Sequence, residues 1–140
     1  MKKIISIILA CAVLFSMIAV QADEVTSGVC GDNITWRFED KTIYFEGTGP
    51  MYEFEDGKQP WIHLKDVMEK VYISDGITTV GGRAFARIGG IKELYLPDSI
   101  EKIGIQAFFR SLNMEELKLP ANLKSVGDYG FRYSNVYRFI

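Results

Sequence analysis

Histidine occurs once in the 140 residues, at His63, and cysteine twice, at Cys11 and Cys30. A lone histidine with no second histidine or cysteine nearby in sequence excludes the usual zinc-binding spacings. It also has no nearby serine or cysteine nucleophile in a recognisable catalytic arrangement. Once Cys11 leaves with an apolar leader, Cys30 stands alone, so no intramolecular disulfide can form and stability must come from a packed core. Cys30 reads as a small buried apolar residue, with a reactive thiol or a bridge between chains as the alternatives. A strong charge of either sign is missing too. There are 16 basic and 18 acidic residues, and cleavage of the leader removes Lys2 and Lys3 but no acid. This mild acidity argues against nucleic acid or an anionic membrane surface as partner. The glycine pairs Gly81-Gly82 and Gly89-Gly90 lack the following lysine of a phosphate loop and read as turns. Glu53, Glu55 and Asp56 read as a solvated acidic loop rather than a calcium site. No motif supports paired carboxylates for glycoside hydrolysis. The expectation is therefore a protein that is not an enzyme, with no catalytic residue, cofactor or metal.

The one long apolar run extends from Ile4 to Val20 behind Met1-Lys2-Lys3, broken only by Ser6 and Ser16. It reads as a secretory signal peptide, residues 1–22, cut after Ala22. A retained anchor is the alternative, although the run is short against the roughly 20 apolar residues of a spanning helix. Lipoprotein processing at Cys11 is a third reading. A secreted or cell-surface location follows, with no membrane insertion of the mature chain.

What the sequence does have is a repeat. Ile77-Thr78-Thr79-Val80-Gly81-Gly82-Arg83-Ala84-Phe85 recurs as Ile100–Phe108 and again as Leu123–Phe131, at a constant spacing of 23 residues. A fixed period in this range is the signature of a solenoid, and of leucine-rich repeats in particular. Val71-Tyr72-Ile73, Leu94-Tyr95-Leu96 and Leu117-Lys118-Leu119 read as one short strand repeated, its outer two side chains inward and its middle one outward. Further inward positions fall at Ile77, Ile100 and Leu123, and at Val80, Ile103 and Val126. Gly81, Gly104 and Gly127 share a position that needs either positive φ or close backbone approach. Ala84-Phe85, Ala107-Phe108 and Gly130-Phe131 set a small residue beside an interior ring. Ile88, Ser111 and Ser134 hold a more variable position, and Ile91, Met114 and Tyr137 return the chain to the next strand.

Ahead of the repeat, residues 23–29 read as a frayed start. Ile34–Phe38 and Thr42–Glu46 alternate apolar and polar and predict a β-hairpin turning at Glu39-Asp40-Lys41. A short helix is expected after Pro60, with Trp61, Leu64 and Met68 on one face. Residues 23–69 thus form an N-terminal cap sealing the first coil with Trp36, Phe38, Phe45, Met51 and Trp61, and residues 70–140 form the repeats. The fold expected is a leucine-rich repeat solenoid of about three 23-residue coils, with a parallel sheet on its concave face and a β-hairpin cap. A fourth strand begins at Val136–Ile140. It either closes the last coil or pairs with another chain.

The repeat resembles the BspA-type leucine-rich repeat family. The residues that carry the resemblance are Leu94-x-Leu96-Pro97-Asp98-Ser99-Ile100-x-x-Ile103-Gly104-x-x-Ala107-Phe108 and their copies. The N-terminal part is similar to the segment that often precedes such repeats, in Cys30-Gly31-Asp32-Asn33, Trp36, Gly47-Thr48-Gly49-x-Met51 and Pro60-Trp61. The resemblance implies a curved solenoid, a secreted or surface location, and a role in adhesion or protein recognition. Its members differ in what they bind, so no ligand carries over. Ile88, Ser111 and Ser134 depart from the cysteine that family coils often carry there.

The candidate site is the outward row on the sheet, comprising Lys70, Tyr72, Glu93, Tyr95, Glu116 and Lys118. Adjacent tyrosines flanked by both charge signs match the composition of protein-binding surfaces, though Tyr also suits a solvated sheet. The partner expected is a protein ligand, such as a host surface or matrix protein. A homo-oligomer through the C-terminal edge is the alternative.

Overall fold

The computed structural model describes residues 24–140; the leader, its cleavage site and Cys11 lie outside the described residues. In chain order the strands are β1 (Ser27–Gly31), β2 (Ile34–Glu39), β3 (Thr42–Gly47), β4 (Gly49–Pro50), β5 (Lys70–Ile73), β6 (Ile77–Val80), β7 (Glu93–Tyr95), β8 (Lys102–Ile103), β9 (Asn113–Leu117), β10 (Ser125–Val126) and β11 (Asn135–Phe139). Three sheets result, in the orders β1-β2-β3-β5-β7, β10-β8-β6-β4 and β11-β9.

β2 and β3 form the expected hairpin, with Asp40 and Lys41 in the left-handed region at φ 48° and 62°. Two successive left-handed residues match the twist of a tight hairpin. Residues 27–29 are not frayed: β1 pairs antiparallel with β2, Gly28 facing Trp36 and Val29 facing Thr35. Ser27-Gly28-Val29 is too short and small to announce a strand, and the open edge of β2 supplies the partners its backbone needs. β3 then pairs in parallel with β5, and β5 with β7. After Pro60 the chain makes only one 3-10 turn, Ile62–Leu64, yet Trp61, Leu64 and Met68 are all buried as that face required.

The stack is filled by the repeated positions. Phe108 is fully buried, with its ring 5.2 Å from Phe85 and 5.4 Å from Phe131, both near parallel. At the top the column runs into Phe45 and Trp61, 5.6 and 5.9 Å from Phe85. Ile77, Ile100, Val80 and Ile103 are also fully buried. The aligned glycines are there for close approach. None of Gly81, Gly104 and Gly127 has positive φ, and a Cβ would strike the Tyr52 carbonyl, the Gly82 backbone and the Ile105 backbone respectively. The left-handed positions fall instead on Arg83, Gln106 and Tyr129, and on Arg87, Arg110 and Tyr133.

The return position holds for Ile91 and Met114 but not for Tyr137, which is 81% exposed. β11 pairs with β9 one residue out of the repeat: Val136 faces Met114 and Phe139 faces Leu117. Val136 therefore packs on the core in place of Tyr137. At the variable position Ile88 and Ser111 are buried. Ser134 donates to the Phe108 carbonyl at 2.6 Å and accepts from the amides of Ser111 and Leu112.

Candidate binding surface

The outward side of the first sheet is built by strand alternation. In β5, Val71 and Ile73 are buried while Lys70 and Tyr72 are exposed. In β7, Glu93 and Tyr95 are exposed, and Leu94 packs partly against the core. Parallel pairing aligns Lys70 with Glu93 and Tyr72 with Tyr95. The Tyr72 and Tyr95 rings stack 5.0 Å apart, 9° from parallel. Beside them Lys70 and Glu93 form an ion pair at 2.9 Å. Hydrogen bonding and attraction to Glu93 hold the Lys70 ammonium above its ordinary pKa. On the flank, Glu69 bonds Lys41 at 3.0 Å, and that contact, with help from Lys92, lowers its carboxyl below the ordinary range.

A third tyrosine extends the row. Tyr44 on β3 faces Tyr72 in register, with ring centroids 6.0 Å apart. Arg37 on β2 caps the row, its guanidinium 4.0 Å from the Tyr44 centroid and 3.0 Å from Glu39. Tyr44 and Arg37 escaped the repeat-based reading because β3 lies 28 residues before β5 instead of 23. A signal was available: Thr42-Ile43-Tyr44-Phe45 has the same polar-apolar-Tyr-apolar order as Lys70–Ile73 and Glu93–Leu96. Two shallow depressions flank Tyr44. One, of about 410 Å³, lies over Tyr44, Tyr72 and Tyr95; the other, of about 430 Å³, runs over Val29, Arg37 and Glu46.

Of the six sequence candidates the structure gathers four: Lys70, Tyr72, Glu93 and Tyr95. Glu116 lies on β9, which belongs to another sheet and meets the preceding coil at the bridge between Ile91 and Leu112. Its carboxylate is paired with Arg138 of β11. Lys118 is exposed just beyond β9. Where the repeat would set Ile91 beside Met114, the bridge is to Leu112.

His63 is exposed, and its Nε2 lies 2.7 Å from the Val25 carbonyl. Cys30 is fully buried, and that burial pushes its thiol up to about 12. No group of three or more metal-ligating side chains occurs among the described residues.

Residues 64–140 match the family described as BspA type leucine-rich repeat region (6 copies). The chain is also similar to the crystal structure of a leucine-rich repeat protein from Eubacterium ventriosum ATCC 27560. The TM-score is 0.69 at 19% identity, over 81% of this chain and 37% of that one. The chain thus spans little more than a third of that structure, and the likeness concerns the fold. No curated protein matches the chain.

Proposed function

The chain belongs to the BspA-type leucine-rich repeat family, and from that premise we propose that it is a non-catalytic protein-recognition module acting outside the cell. The row Tyr44–Tyr72–Tyr95 carries this reading. Three tyrosines on adjacent strands of one backbone ladder are held in place before any partner arrives, so little side-chain entropy remains to be lost on binding. Tyrosine and arginine are the residues most enriched where binding energy concentrates. Lys70, Glu93 and Arg37 surround the rings with polar groups already paired, as the rim of an interface requires. Glu116 and Lys118 stay in the proposed row as its continuation across the break between the two sheets.

Residues 1–22 act as the signal peptide in this reading, residues 23–69 as the cap and residues 70–140 as the repeats. No helix among the described residues is long and apolar enough to cross a membrane. Amino-terminal sequencing of protein recovered from the medium should begin at Asp23. Self-association through residues 137–140 is the alternative reading; β11 bonds to β9 on one edge, and a second copy would have to take the other.

The test begins with capture of partner proteins from the natural surroundings, using the mature chain as bait. The captured partner is then titrated against Tyr72→Ala/Tyr95→Ala. A loss of about 2 kcal/mol or more is expected. A variant that folds normally and binds undiminished would sink the assignment to this face.

A further inference from the structure

Charge is distributed unevenly between the two parts of each coil. The sheet side is largely balanced, with Lys41 and Lys92 on Glu69, Lys70 on Glu93, and Arg138 on Glu116. The turn segments 83–87, 106–110 and 129–133 hold four of the six arginines and none of the 18 acidic residues. Toward the N-terminus these arginines are occupied. Arg83 bonds Gln106 and the Phe54 carbonyl, and Arg87 pairs with Asp56 at 3.1 Å. Further along, Arg110 and Arg132 are exposed and meet no carboxylate among the described residues.

These two guanidiniums are nonetheless held in place. Arg110 lies 5.3 Å from the Phe109 ring and 5.1 Å from the Tyr133 ring. Arg132 lies 4.7 Å from Tyr129 and 4.8 Å from Tyr133, and donates to the Tyr133 hydroxyl at 3.0 Å. Phe109 and Tyr133 meet edge to face at 5.5 Å, and the Arg110 amide bonds the Arg132 carbonyl at 3.0 Å. Tyr133 therefore carries both cations. The ring contacts engage one side of each guanidinium, and the N–H groups not given to the Tyr133 hydroxyl are left for a ligand, in a fork that matches a planar carboxylate. The ring faces are already engaged by guanidinium, which leaves a sugar ring little aromatic platform on which to stack.

We propose that the Arg110–Arg132 cluster on Tyr133 is a second docking surface, one that takes an acidic, carboxylate-rich segment of a partner protein. It lies in the turn segments and is independent of the tyrosine row on the sheet. The direct test is titration of the full chain with a fluorescent oligoglutamate peptide at low ionic strength, with oligoglutamine as control. Oligoglutamate should bind and weaken as salt is added. Arg110→Gln/Arg132→Gln should weaken binding by about tenfold or more. Arg110→Lys/Arg132→Lys, which keeps charge but loses the flat fork, should fall between. Arg138→Gln and Tyr72→Ala/Tyr95→Ala should bind as the parent does, which separates this surface from the sheet face. In the unaltered protein, peptide-induced chemical-shift changes should centre on residues 106–110 and 129–133, a readout that needs no variant. No oligoglutamate binding, equal binding by the double Gln variant, or shift changes elsewhere would overturn the proposal. Dextran sulfate binding at this cluster while oligoglutamate does not would also overturn it, in favour of a sulfated polysaccharide.

Discussion

The turns of the first and of the last described coil differ in what covers them. Along the turns, alternate backbone amides of one coil bond to carbonyls of the next: Arg83 to Ile105, Phe85 to Ala107, Arg87 to Phe109, and likewise Gln106 to Asp128, Phe108 to Gly130, Arg110 to Arg132. At the N-terminal end the corresponding carbonyls, Gly82, Ala84 and Ala86, have no preceding repeat to supply amides. They receive the Phe54 amide at 3.0 Å, the Trp61 indole at 2.8 Å and the Gln59 side-chain amide at 3.5 Å. A backbone group and two side chains thus stand in for a coil. At the C-terminal end the amides of Tyr129, Phe131 and Tyr133 find no acceptor among the described residues. Val126, which the repeat places inward, is 45% exposed, and Phe131 is only partly buried. Covering the turns of a coil takes both apolar bulk and hydrogen bonds that copy a ladder, and residues 54–61 bring the two together.

That contrast can be tested by removing bulk at matched places. Trp61→Ala and Phe108→Ala should each cost about 3–5 kcal/mol in urea unfolding, because both rings are fully buried. Phe131→Ala, on the same column but open on one side, should cost about half as much. Equal losses at Phe108 and Phe131 would erase the distinction between interior and end.

Cys30 sharpens the comparison through pH. Burial raises the thiol from 9.0 to about 12 in the folded chain. Below about pH 9 both states keep the proton and nothing is lost. As pH rises from about 9 toward 12 the unfolded chain ionises first, and stability should fall by about 1.4 kcal/mol per unit. The measurement is the difference in unfolding free energy between parent and Cys30→Ala between about pH 8 and 10, in which tyrosine and lysine titration cancels. A difference that stays constant with pH would show that the N-terminal core admits water.

Amide exchange reads the ladder itself. The Phe108 amide, bonded to Gly130 at 2.8 Å, should be protected, and the Phe131 amide should exchange on the timescale of an exposed turn. The smallest effect belongs to the one-residue slip in β11. Tyr137→Ala should change stability by no more than about 0.5 kcal/mol, as at an ordinary surface position, whereas Val136→Ala should cost more. The reverse order would restore the 23-residue register at this strand.

Much of the stack is legible in the sequence. The spacing of Phe85, Phe108 and Phe131 placed the interior column, and the alternation in Val71–Ile73 told which side Tyr72 faces. The hairpin announced itself through Ile34–Phe38 and Thr42–Glu46. Other features depended on contacts distant in sequence. β1 owes its existence to the edge of β2, which Ser27-Gly28-Val29 does not advertise. Gln59 belongs to no periodic or alternating run, yet its side-chain amide reaches the Arg83 and Ala86 carbonyls. Of the candidate surface, Tyr72 and Tyr95 were readable from the period, but Tyr44 joins them across 28 residues and falls outside it.

By itself the sequence determined the coil, because a periodic set of apolar residues can be buried only by stacking like on like. Tertiary structure alone decided which strands became neighbours at the two ends. There the period stops applying, and pairing follows whatever edge is open: β3 on β5 at one end, β11 slipped against β9 at the other. It also decided where the arginines are free. Charge pairing depends on which side chains meet through space, and Asp56 reaches Arg87 but not Arg110 or Arg132.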